Sequence, residues 1–440
     1  MDLIMHSKSF FVKSYGCQMN FYDSEKITSI LENKGMIEKE EINNADVVIF
    51  NTCNIRDKAA HKVYSDIGRV TKLSQNKTIA VVGCVAQAEN SEMFNKNDNI
   101  DIVLGPQSYH LLPQMIKDNE QNKEKLINTD FIINEKFDYI AEEKKPKGVS
   151  SAITIQEGCD KFCSFCVVPF TRGPEYSRNF NDIKLEAESA STRGASEIIL
   201  LGQNVNAYNY FYRRKNHYLN DLINLIGEID KVKRIRYTTS HPINMSDELI
   251  NLHSENKKLM PFLHLPVQSG SDKILKKMNR KYNSYDYRKI IEKLKKSNPN
   301  IEISSDFIIG YPGETEKDFD ATLKLIEEIK FTQSYSFIYS ERPGTKSASE
   351  DDEVSLKVKK ERLSILQDKL KDIQLKYNKS FYNKHVKVLV ENQSISNPRY
   401  FFGRTPFMQS VYLESDRVKI GEEMNVKITS CNHKSLYGIA

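Results

Sequence analysis

The chain has 440 residues, which is too long for one ordinary hydrophobic core and predicts two or three domains. Hydrophobic residues make up 39% and charged residues 28%, a balance that is typical of soluble globular proteins and argues against global disorder. The net charge of +5 is mild, so it permits an anionic partner without requiring one. No apolar run approaches the roughly 20 residues of a membrane span, and the amino terminus has no secretory signal pattern. We therefore expect a cytoplasmic protein with no membrane association.

Residues 8–125 are predicted to form a parallel α/β domain. Amphipathic stretches such as Asp23–Lys34 and Lys58–Lys72 predict helices, and they alternate with apolar, β-branched runs. Alternating strands and helices favour a parallel sheet with right-handed crossovers. The polar segment Lys117–Gly148 is interpreted as a linker to the next domain. The predicted strands have the sequences FFVKSYG, ADVVIFNTC, TIAVVGC and IDIVLG.

Residues 145–375 contain six further strand candidates with amphipathic stretches between them. This repetition predicts a partial (β/α)6 barrel, and a barrel of this kind carries its chemistry at the carboxyl ends of its strands. A charged helix is predicted at about Ser355–Tyr377. The six strand candidates are AITIQ, EIILLG, RIRYTTS, FLHLPV, EISSDFIIG and SYSFIYS.

Residues 378–440 are predicted to form a small antiparallel β-barrel, because alternating segments such as HVKVLVEN and MQSVYLES are separated by glycines. From residue 371 to the end, eleven Lys and Arg residues exceed six Asp and Glu residues by five. The excess of positive charge in this tail equals the net charge of the whole chain.

Three of the seven cysteines, Cys159, Cys163 and Cys166, lie within eight positions, directly after the first predicted barrel strand. Three thiolates suit a four-iron cluster with one open iron. A closed zinc site needs a fourth ligand, and the nearest histidines, His110 and His217, are distant in sequence. Buried thiols without a ligand are the other alternative. The spacing favours the iron–sulfur cluster, whose open iron can bind a small molecule.

Three other cysteines, Cys17, Cys53 and Cys84, each follow a predicted strand of the amino-terminal sheet. Because the carboxyl ends of parallel strands meet at one edge, these cysteines are expected to converge there. Each alone is compatible with an ordinary core thiol, but three at successive strand ends favour a second metal site. Cys431 belongs to neither set.

The stretch CDKFCSFC has the CxxxCxxC pattern of radical S-adenosylmethionine (SAM) enzymes. Nearly the whole chain resembles the methylthiotransferases of that superfamily, and its tail is similar to the TRAM RNA-binding domain. The branch that it resembles is the one acting on isopentenyladenosine in tRNA. The motifs that carry the resemblance are SYGCQMN, NTCNIRDKAAHKVYSDIGR, VVGCVAQ, GPQSYHLLP, IQEGCDKFCSFCVVPFTRGPEYSR, TTSHPINMSDELI, LHLPVQSGSDKILKKMNRKY and FIIGYPGETEKDF.

The resemblance implies two [4Fe–4S] clusters, one on each cysteine set. Cys159, Cys163 and Cys166 would hold the cluster that cleaves SAM. The other set, Cys17, Cys53 and Cys84, would hold an auxiliary cluster that carries or supplies sulfur. One SAM would give the methyl group, and a second would give the 5′-deoxyadenosyl radical that removes hydrogen from C2 of the adenine. The implied partners are tRNA with isopentenyladenosine in its anticodon loop and a low-potential, flavodoxin-like electron donor, and a monomer is expected.

Candidate SAM contacts lie in three segments that follow predicted barrel strands. Gln203 and Asn204 occupy the place where many relatives in the superfamily bind the SAM ammonium group. Gln268 follows the fourth strand, and Gly310 and Gly313 would let the backbone approach adenine closely. The alternative for Gln203 and Asn204 is an ordinary polar turn, and for Gln268 a plain loop amide.

The tail mixes cations, which suit phosphates, with aromatic side chains, which suit stacked bases. The alternative is a solvated basic face over an ordinary aromatic core, and the family resemblance favours RNA. The basic candidates are Lys384, Lys387, Arg399, Arg404, Lys419 and Lys427, and the aromatic ones are Phe401, Phe402, Phe407 and Tyr412.

Three rival functions remain. A methylthiotransferase of the same architecture modifies an aspartate of a ribosomal protein, and another acts on threonylcarbamoyl-adenosine in tRNA. YGCQMN argues against both, since those branches read nearer LGCPKN and LGCKVN. The rival from another class is a non-catalytic, metal-stabilised RNA-binding protein.

Overall fold

The computed structural model describes residues 8–54, 57–73, 76–131, 148–395, 397–415 and 418–440. Half of the predicted linker Lys117–Gly148, residues 132–147, and the predicted domain boundary at residue 145 lie outside the described residues. The linker prediction is wrong for the first part of that segment, because a helix continues to Asn122 and Leu126–Asn128 is a strand of the amino-terminal sheet. By its contacts the chain divides into two compact units. Unit 1 holds the described residues up to 131, with Glu157–Asp160 and Val167–Tyr176, and unit 2 holds 148–156, Lys161–Cys166 and Ser177–Ala440. Within the described ranges, no helix has both the length and the apolar composition that a bilayer crossing requires.

In unit 1 the described residues form a six-stranded parallel sheet with the order β2-β1-β3-β4-β5-β6. Every residue of β3 is buried, as expected for a parallel strand covered on both faces. The strands are β1 (Ser9–Ser14), β2 (Ile37–Glu38), β3 (Val47–Thr52), β4 (Thr78–Gly83), β5 (Ile102–Leu104) and β6 (Leu126–Asn128). The helices are α1 (Gln18–Asn33), α2 (Asp57–Leu73), α3 (Cys84–Glu89), α4 (Glu92–Lys96), α5 (Leu112–Asn122) and α6 (Val168–Thr171), with 3-10 turns at Ile42–Asn44 and Tyr109–Leu111.

The prediction of a parallel α/β sheet is therefore confirmed, but only four of the six described strands were predicted. The two others, β2 and β6, lie at the edges and have two and three residues. Strands this short carry no recognisable alternation, and β2 is exposed along its whole length.

In unit 2 the central strands pair in parallel, β7 with β10, β10 with β13, β14 with β15, and β16 with β17. The predicted strand EISSDFIIG is two strands, because pairing is interrupted at Ser305. The strands of unit 2 are β7 (Ser150–Thr154), β10 (Glu197–Leu201), β11 (Asn209–Tyr212), β12 (Lys215–Tyr218), β13 (Arg234–Tyr237), β14 (Phe262–His264), β15 (Glu302–Ser304), β16 (Asp306–Ile309) and β17 (Tyr335–Ile338), whereas β8 (Gln156–Glu157) and β9 (Tyr176–Ser177) each lie where the chain passes from one unit to the other. The helices are α7 (Phe180–Thr192), α8 (Leu219–Gly227), α9 (Asp247–Glu255), α10 (Asp272–Lys277), α11 (Ser284–Ser297), α12 (Glu316–Ile329) and α13 (Leu356–Lys379), with 3-10 turns at Val205–Ala207, Pro242–Asn244 and Lys346–Ser349.

The carboxyl-terminal strands close into a barrel with the order β18-β19-β20-β22-β21. One pair, β20 with β22, is parallel, so the predicted antiparallel barrel is antiparallel in its other four pairs. Its core is an apolar cluster that includes Val388, Val411 and Leu436. The strands are β18 (His385–Gln393), β19 (Tyr400–Arg404), β20 (Ser410–Glu414), β21 (Glu423–Cys431) and β22 (Ser435–Ile439).

Two buried arginines of β13 fasten this small barrel to the central strands. Arg236 donates from Nη2 to the carbonyl of Thr405 at 3.0 Å, and from Nη1 to the carbonyl of Pro406 at 2.9 Å. Its Nε bonds to the Glu197 carboxylate at 2.7 Å. Arg234 donates to the carbonyl of Arg404 at 2.8 Å. The turn between β19 and β20 is thereby held at the amino-terminal ends of β10 and β13.

Candidate functional site

The three dispersed cysteines of unit 1 follow adjacent strands. Cys17 is the N-cap of α1 after β1, Cys53 comes directly after β3, and Cys84 begins α3 after β4. Since β1, β3 and β4 are neighbours and parallel, their carboxyl ends lie side by side. The structure thus brings Cys17, Cys53 and Cys84 together at one edge of the sheet.

Contacts among these side chains show how close they lie. A hydrogen bond with Cys53 and the positive charge of Arg172 lower the pKa of Cys17 to about 6, against the opposing effect of burial. Gly16 has φ +103°, and a Cβ atom there would lie 2.6 Å from Cys53 Sγ. Only glycine fits that position, because any side chain would collide with Cys53 and would also strain the backbone.

Arg172 is a residue of this site that sequence reasoning missed. It lies in the quoted stretch TRGPEYSR, six residues after Cys166, and it is 2% exposed. Its Nε donates to Cys84 Sγ at 3.3 Å. Burial raises the pKa of Cys84, and the Arg172 charge opposes that rise. Nothing in the sequence links two residues that are 88 positions apart.

The donor set of unit 1 fits an iron–sulfur cluster. It offers three thiols, one of them with a pKa near 6, and a guanidinium that can donate to a coordinated sulfur. Among the residues that the structure describes, no group of three or more His, Cys, Asp or Glu side chains is arranged to hold a metal ion. That finding concerns one ion bound by all three groups, whereas the thiolates of a four-iron cluster each bind a different iron.

The clustered cysteines are divided between the units. Cys159 belongs to unit 1, where its N–H donates to the carbonyl of Gly173 at 3.1 Å. Cys163 and Cys166 belong to unit 2 and form a tight turn, in which the N–H of Cys166 donates to the carbonyl of Cys163 at 2.9 Å. Phe162, just before this turn, has φ +48°.

In unit 2 the turn is anchored on the segment after α10. Ser164 donates from its N–H to the carbonyl of Met278 at 3.0 Å and from Oγ to that of Lys277 at 2.8 Å. Arg280 is 4% exposed and donates from Nη1 to Cys163 Sγ at 3.3 Å. The segment LKKMNRKY belongs to one of the motifs that carry the family resemblance, but no role was predicted for Arg280.

The predicted SAM contacts Asn204 and Gln268 are buried behind the strand ends, and Gln203 is partly exposed. The N–H of Asn204 donates to Gln156 Oε1 at 2.9 Å, and its side-chain amide donates to Asn244 at 3.2 Å. Gln268 has φ +74°, and its N–H donates to the carbonyl of Asp306 at 3.0 Å.

The two predicted glycines face lysine side chains. Gly310 has φ +71°, and a Cβ atom there would lie 2.3 Å from Cγ of Lys359. Gly313 has φ +76°, and a Cβ atom there would lie 2.8 Å from Nζ of Lys277. In this structure the close approach that glycine permits is therefore made by lysines of α13 and α10.

Three buried polar groups that sequence reasoning did not single out lie at or near the carboxyl ends of β7 and β13. Within the described chain, no hydrogen-bond partner is present for Thr154 Oγ1, Ser240 Oγ or His241 Nε2. His241 Nδ1 accepts from the N–H of Ile243 at 3.3 Å, so its proton resides on Nε2. Burial and the positive charges of Arg280 and Lys161 lower the pKa of His241 to about 2, which keeps the ring neutral. These groups are suited to hydrogen bonding with a bound polar ligand.

The outer face of the small barrel carries a row of aromatic rings. Phe402, Tyr412 and Tyr437 are cross-strand neighbours on β19, β20 and β22, with ring centroids 5.4 and 5.7 Å apart. Tyr412 and Tyr437 are 45% and 37% exposed, whereas the predicted contact Phe401 is buried in the core. We call these three residues the aromatic row.

Cations border the aromatic row. The Arg404 guanidinium lies 5.3 Å from the centre of the Phe402 ring. Arg404 and Arg399 also pair with Glu391 and Glu414. The predicted basic residues Lys384, Lys387, Lys419 and Lys427 are exposed, and Phe407 is half-buried.

Three segments of the chain match known families. Residues 9–105 match the uncharacterized protein family UPF0004, residues 153–326 the radical SAM superfamily, and residues 379–440 the TRAM domain. Membership of the radical SAM superfamily implies one [4Fe–4S] cluster and SAM as cofactors.

Two relatives match almost end to end, and both are called tRNA-2-methylthio-N(6)-dimethylallyladenosine synthase. The protein of Pelagibacter ubique (strain HTCC1062) is 52% identical over 435 residues, which are 98% of this chain and 97% of that protein. The protein of Rickettsia canadensis (strain McKiel) is 48% identical over 442 residues, 98% of this chain and 99% of that protein.

Among solved structures, the fold is similar to a radical S-adenosylmethionine methyltransferase, TsrM, from Kitasatospora setae, which contains cobalamin and a [4Fe–4S] cluster. The TM-score is 0.58 at 12% identity, over 78% of this chain and 77% of that one, so the likeness concerns the fold alone. The sequence matches go further: the chain belongs to the tRNA-2-methylthio-N(6)-dimethylallyladenosine synthase family of radical SAM methylthiotransferases.

Proposed function

We propose that this chain adds a methylthio group to C2 of N6-isopentenyladenosine at position 37 of tRNA. The observation that carries the proposal is the 52% identity, over 98% of the chain, to a relative named for that product. A ribosomal-protein substrate and a non-catalytic role have no comparable support.

The two cysteine sets are proposed to hold two clusters. Cys159, Cys163 and Cys166 would hold the [4Fe–4S] cluster that the superfamily requires, and Cys17, Cys53 and Cys84 would hold the second. When bound, the clusters would supply an electron for SAM cleavage and an open iron for the sulfur that is transferred. The low pKa of Cys17 supports this assignment, because a thiolate rather than a thiol binds iron.

The polar groups at the strand ends of unit 2 are proposed to bind SAM. The candidates remain Gln203, Asn204, Gln268, Gly310 and Gly313. Backbone hydrogen bonds hold Gln268 and Asn204 in fixed positions. We add the three buried groups at or near the ends of β7 and β13. The neutral ring of His241 would donate from Nε2 to an oxygen of SAM without repelling its sulfonium charge.

The small barrel is proposed to bind the tRNA. Exposed aromatic rings in a row suit unpaired bases, and Arg404 beside the row together with the exposed lysines of the barrel suits phosphates. Affinity should therefore fall steeply as salt is raised. We also propose that the protein is a cytoplasmic monomer and that a low-potential, flavodoxin-like protein supplies its electrons.

The test is an anaerobic reaction of the iron-reconstituted protein with SAM, a strong reductant and tRNA that carries isopentenyladenosine. The digested tRNA is then analysed by mass spectrometry. A nucleoside in which one methylthio group replaces hydrogen is the expected product. Formation of 5′-deoxyadenosine with unmodified tRNA would leave the radical chemistry intact and refute the substrate. The control is tRNA with unmodified adenosine at the same position.

A further inference from the structure

Each cysteine set has one buried arginine that donates to one of its sulfurs. In unit 1, Arg172 Nε lies 3.3 Å from Cys84 Sγ. In unit 2, Arg280 Nη1 lies 3.3 Å from Cys163 Sγ. The two arginines are 2% and 4% exposed, so neither is a solvated surface cation that happens to lie near a thiol.

Arg172 is held by buried carboxylates. Its Nη2 bonds to Asp23 at 2.6 Å and its Nη1 to Glu157 at 3.2 Å, and both carboxylates are at most 1% exposed. Gln107 Nε2 donates to Glu157 and to the carbonyl of Arg172, each at 3.0 Å. The phenol of Tyr109 donates to Asp23 at 3.3 Å.

A buried ion-pair network of this kind is poorly explained by stability alone. Burying charges costs several kcal/mol per ion, and apolar side chains of similar volume are often as stable. What the network does provide is geometry: the rigid guanidinium fork is fixed by Asp23 and Glu157, which leaves Nε aimed at Cys84.

Arg280 is held differently. Its Nη2 donates to the carbonyl of Pro266 at 2.8 Å and its Nε to the phenol of Tyr282 at 3.0 Å. Among the described residues no carboxylate pairs with Arg280, so no described acidic group neutralises its charge. A buried cation without an acidic partner favours a negatively charged group beside it.

We propose that Arg172 and Arg280 are positioning residues that each fix one cysteine ligand and raise the reduction potential of that ligand's cluster. The inference rests on the proposed assignment of the six cysteines. Hydrogen bonds to cluster sulfurs and local charge are among the factors that set the potential. A donor and a positive charge stabilise the reduced cluster, which carries one more negative charge.

The test uses two full-length single-cluster proteins. One has Cys159, Cys163 and Cys166 replaced by Ala, and the other has Cys17, Cys53 and Cys84 replaced by Ala. Arg172→Gln and Arg280→Gln are introduced separately into each protein. Iron and sulfide per chain are measured, and the midpoint potential is followed by electron paramagnetic resonance. Each arginine substitution is the control for the other.

We expect Arg172→Gln to lower the potential only where Cys84 is present, and Arg280→Gln only where Cys163 is present. A tenfold change in the reduction equilibrium corresponds to about 59 mV for one electron. An unchanged potential for both arginine variants, or an equal shift in both proteins, would overturn the inference while leaving the cysteine assignment standing. Single-cluster proteins that bind no iron before any arginine is changed would overturn the assignment as well.

Arg172→Gln leaves two buried carboxylates without their cation, so Arg172→Lys is made in parallel. The lysine keeps the charge but not the fixed fork. Loss of iron in both variants, with the melting transition retained, supports the positioning role. Loss of iron together with the folded state shows a purely structural role and overturns the inference.

Discussion

Arg236→Met is predicted to release the small barrel from the central strands of unit 2. Arg236 is 4% exposed, and its partner Glu197 is completely buried. The substitution leaves Glu197 with the hydroxyl of Ser150 as its remaining donor, and it removes the donors to the carbonyls of Thr405 and Pro406. Removing one partner of a buried ion pair costs about 3–5 kcal/mol. The cost falls on the β19–β20 turn, because that turn is where the guanidinium is anchored.

Amide hydrogen exchange measures the free energy of local opening at the β19–β20 turn. If opening of the turn breaks the hydrogen bonds of Arg236, exchange in β19 and β20 should accelerate roughly a hundred- to several-thousand-fold, since 1.36 kcal/mol is a factor of ten. Arg288→Met is the control, because Arg288 pairs with Glu328 on the surface, where a pair contributes about 0–1 kcal/mol. Combining Arg236→Met with Glu197→Gln should recover much of the loss, since the buried Glu197 carboxylate is no longer left without its cation. Unchanged exchange in Arg236→Met, or no recovery in the double variant, would refute the reasoning.

The same pair has a pH signature. Burial acts to raise the pKa of Glu197, but the Arg236 guanidinium outweighs it, and the net pKa lies below the usual value. A carboxylate with a depressed pKa contributes stability above its unfolded pKa of about 4.3, and this is lost as the pH falls through the folded value. The difference in exchange between the original protein and Arg236→Met should therefore shrink below about pH 4.

Three further predictions concern separate sites. Gly16→Ala should abolish iron binding by the protein that retains only the unit 1 cysteines, whereas Gly68→Ala, whose Cβ meets nothing within 4 Å, should leave the iron content unchanged. Tyr412→Leu should weaken tRNA binding by about 1–3 kcal/mol in a filter-binding titration, the loss of one stacked base, and the exposed Tyr285→Leu should not. Hydrogen bonds from Ser271 and Thr315 outweigh burial and lower the pKa of Asp318 to about 2. Asp318→Asn should therefore cost about 1–2 kcal/mol of unfolding free energy in urea at pH 7, and the difference should disappear as the pH falls from about 4 to about 2.

The sequence was sufficient for features that are local or set by topology. The spacing of Cys159, Cys163 and Cys166 lies within one loop, and the convergence of Cys17, Cys53 and Cys84 follows from adjacent parallel strands. The order of elements predicted the parallel sheet and the barrel-like repetition for the same reason. The edge strands β2 and β6 were not predicted, because two or three residues are too few to show the alternation of a strand.

The two arginines could not be predicted, because their partners are distant in sequence. Arg172 meets Cys84 across 88 positions and Asp23 across 149, and Arg280 meets Cys163 across 117. No periodicity or motif spacing reports such pairs. The aromatic residues show a different limit: Phe401 and Phe402 are adjacent, and composition cannot tell which one faces the core. Successive side chains of β19 point to opposite faces of the strand, so Phe401 is buried in the core and Phe402 faces outward beside Tyr412.

Arg404 connects the buried arginines of β13 with the aromatic row. Its carbonyl accepts from the buried Arg234 at 2.8 Å, while its side chain lies 5.3 Å from the Phe402 ring centre. Phe402, at one end of the row, therefore has beside it a residue that is anchored on the central strands. A row fixed in this way keeps its rings at a constant orientation relative to the strand ends of unit 2, so less orientational freedom would be lost if the row binds RNA as proposed. The buried charges at Arg236 and Glu197, which add little net stability, are explained if what they maintain is that orientation.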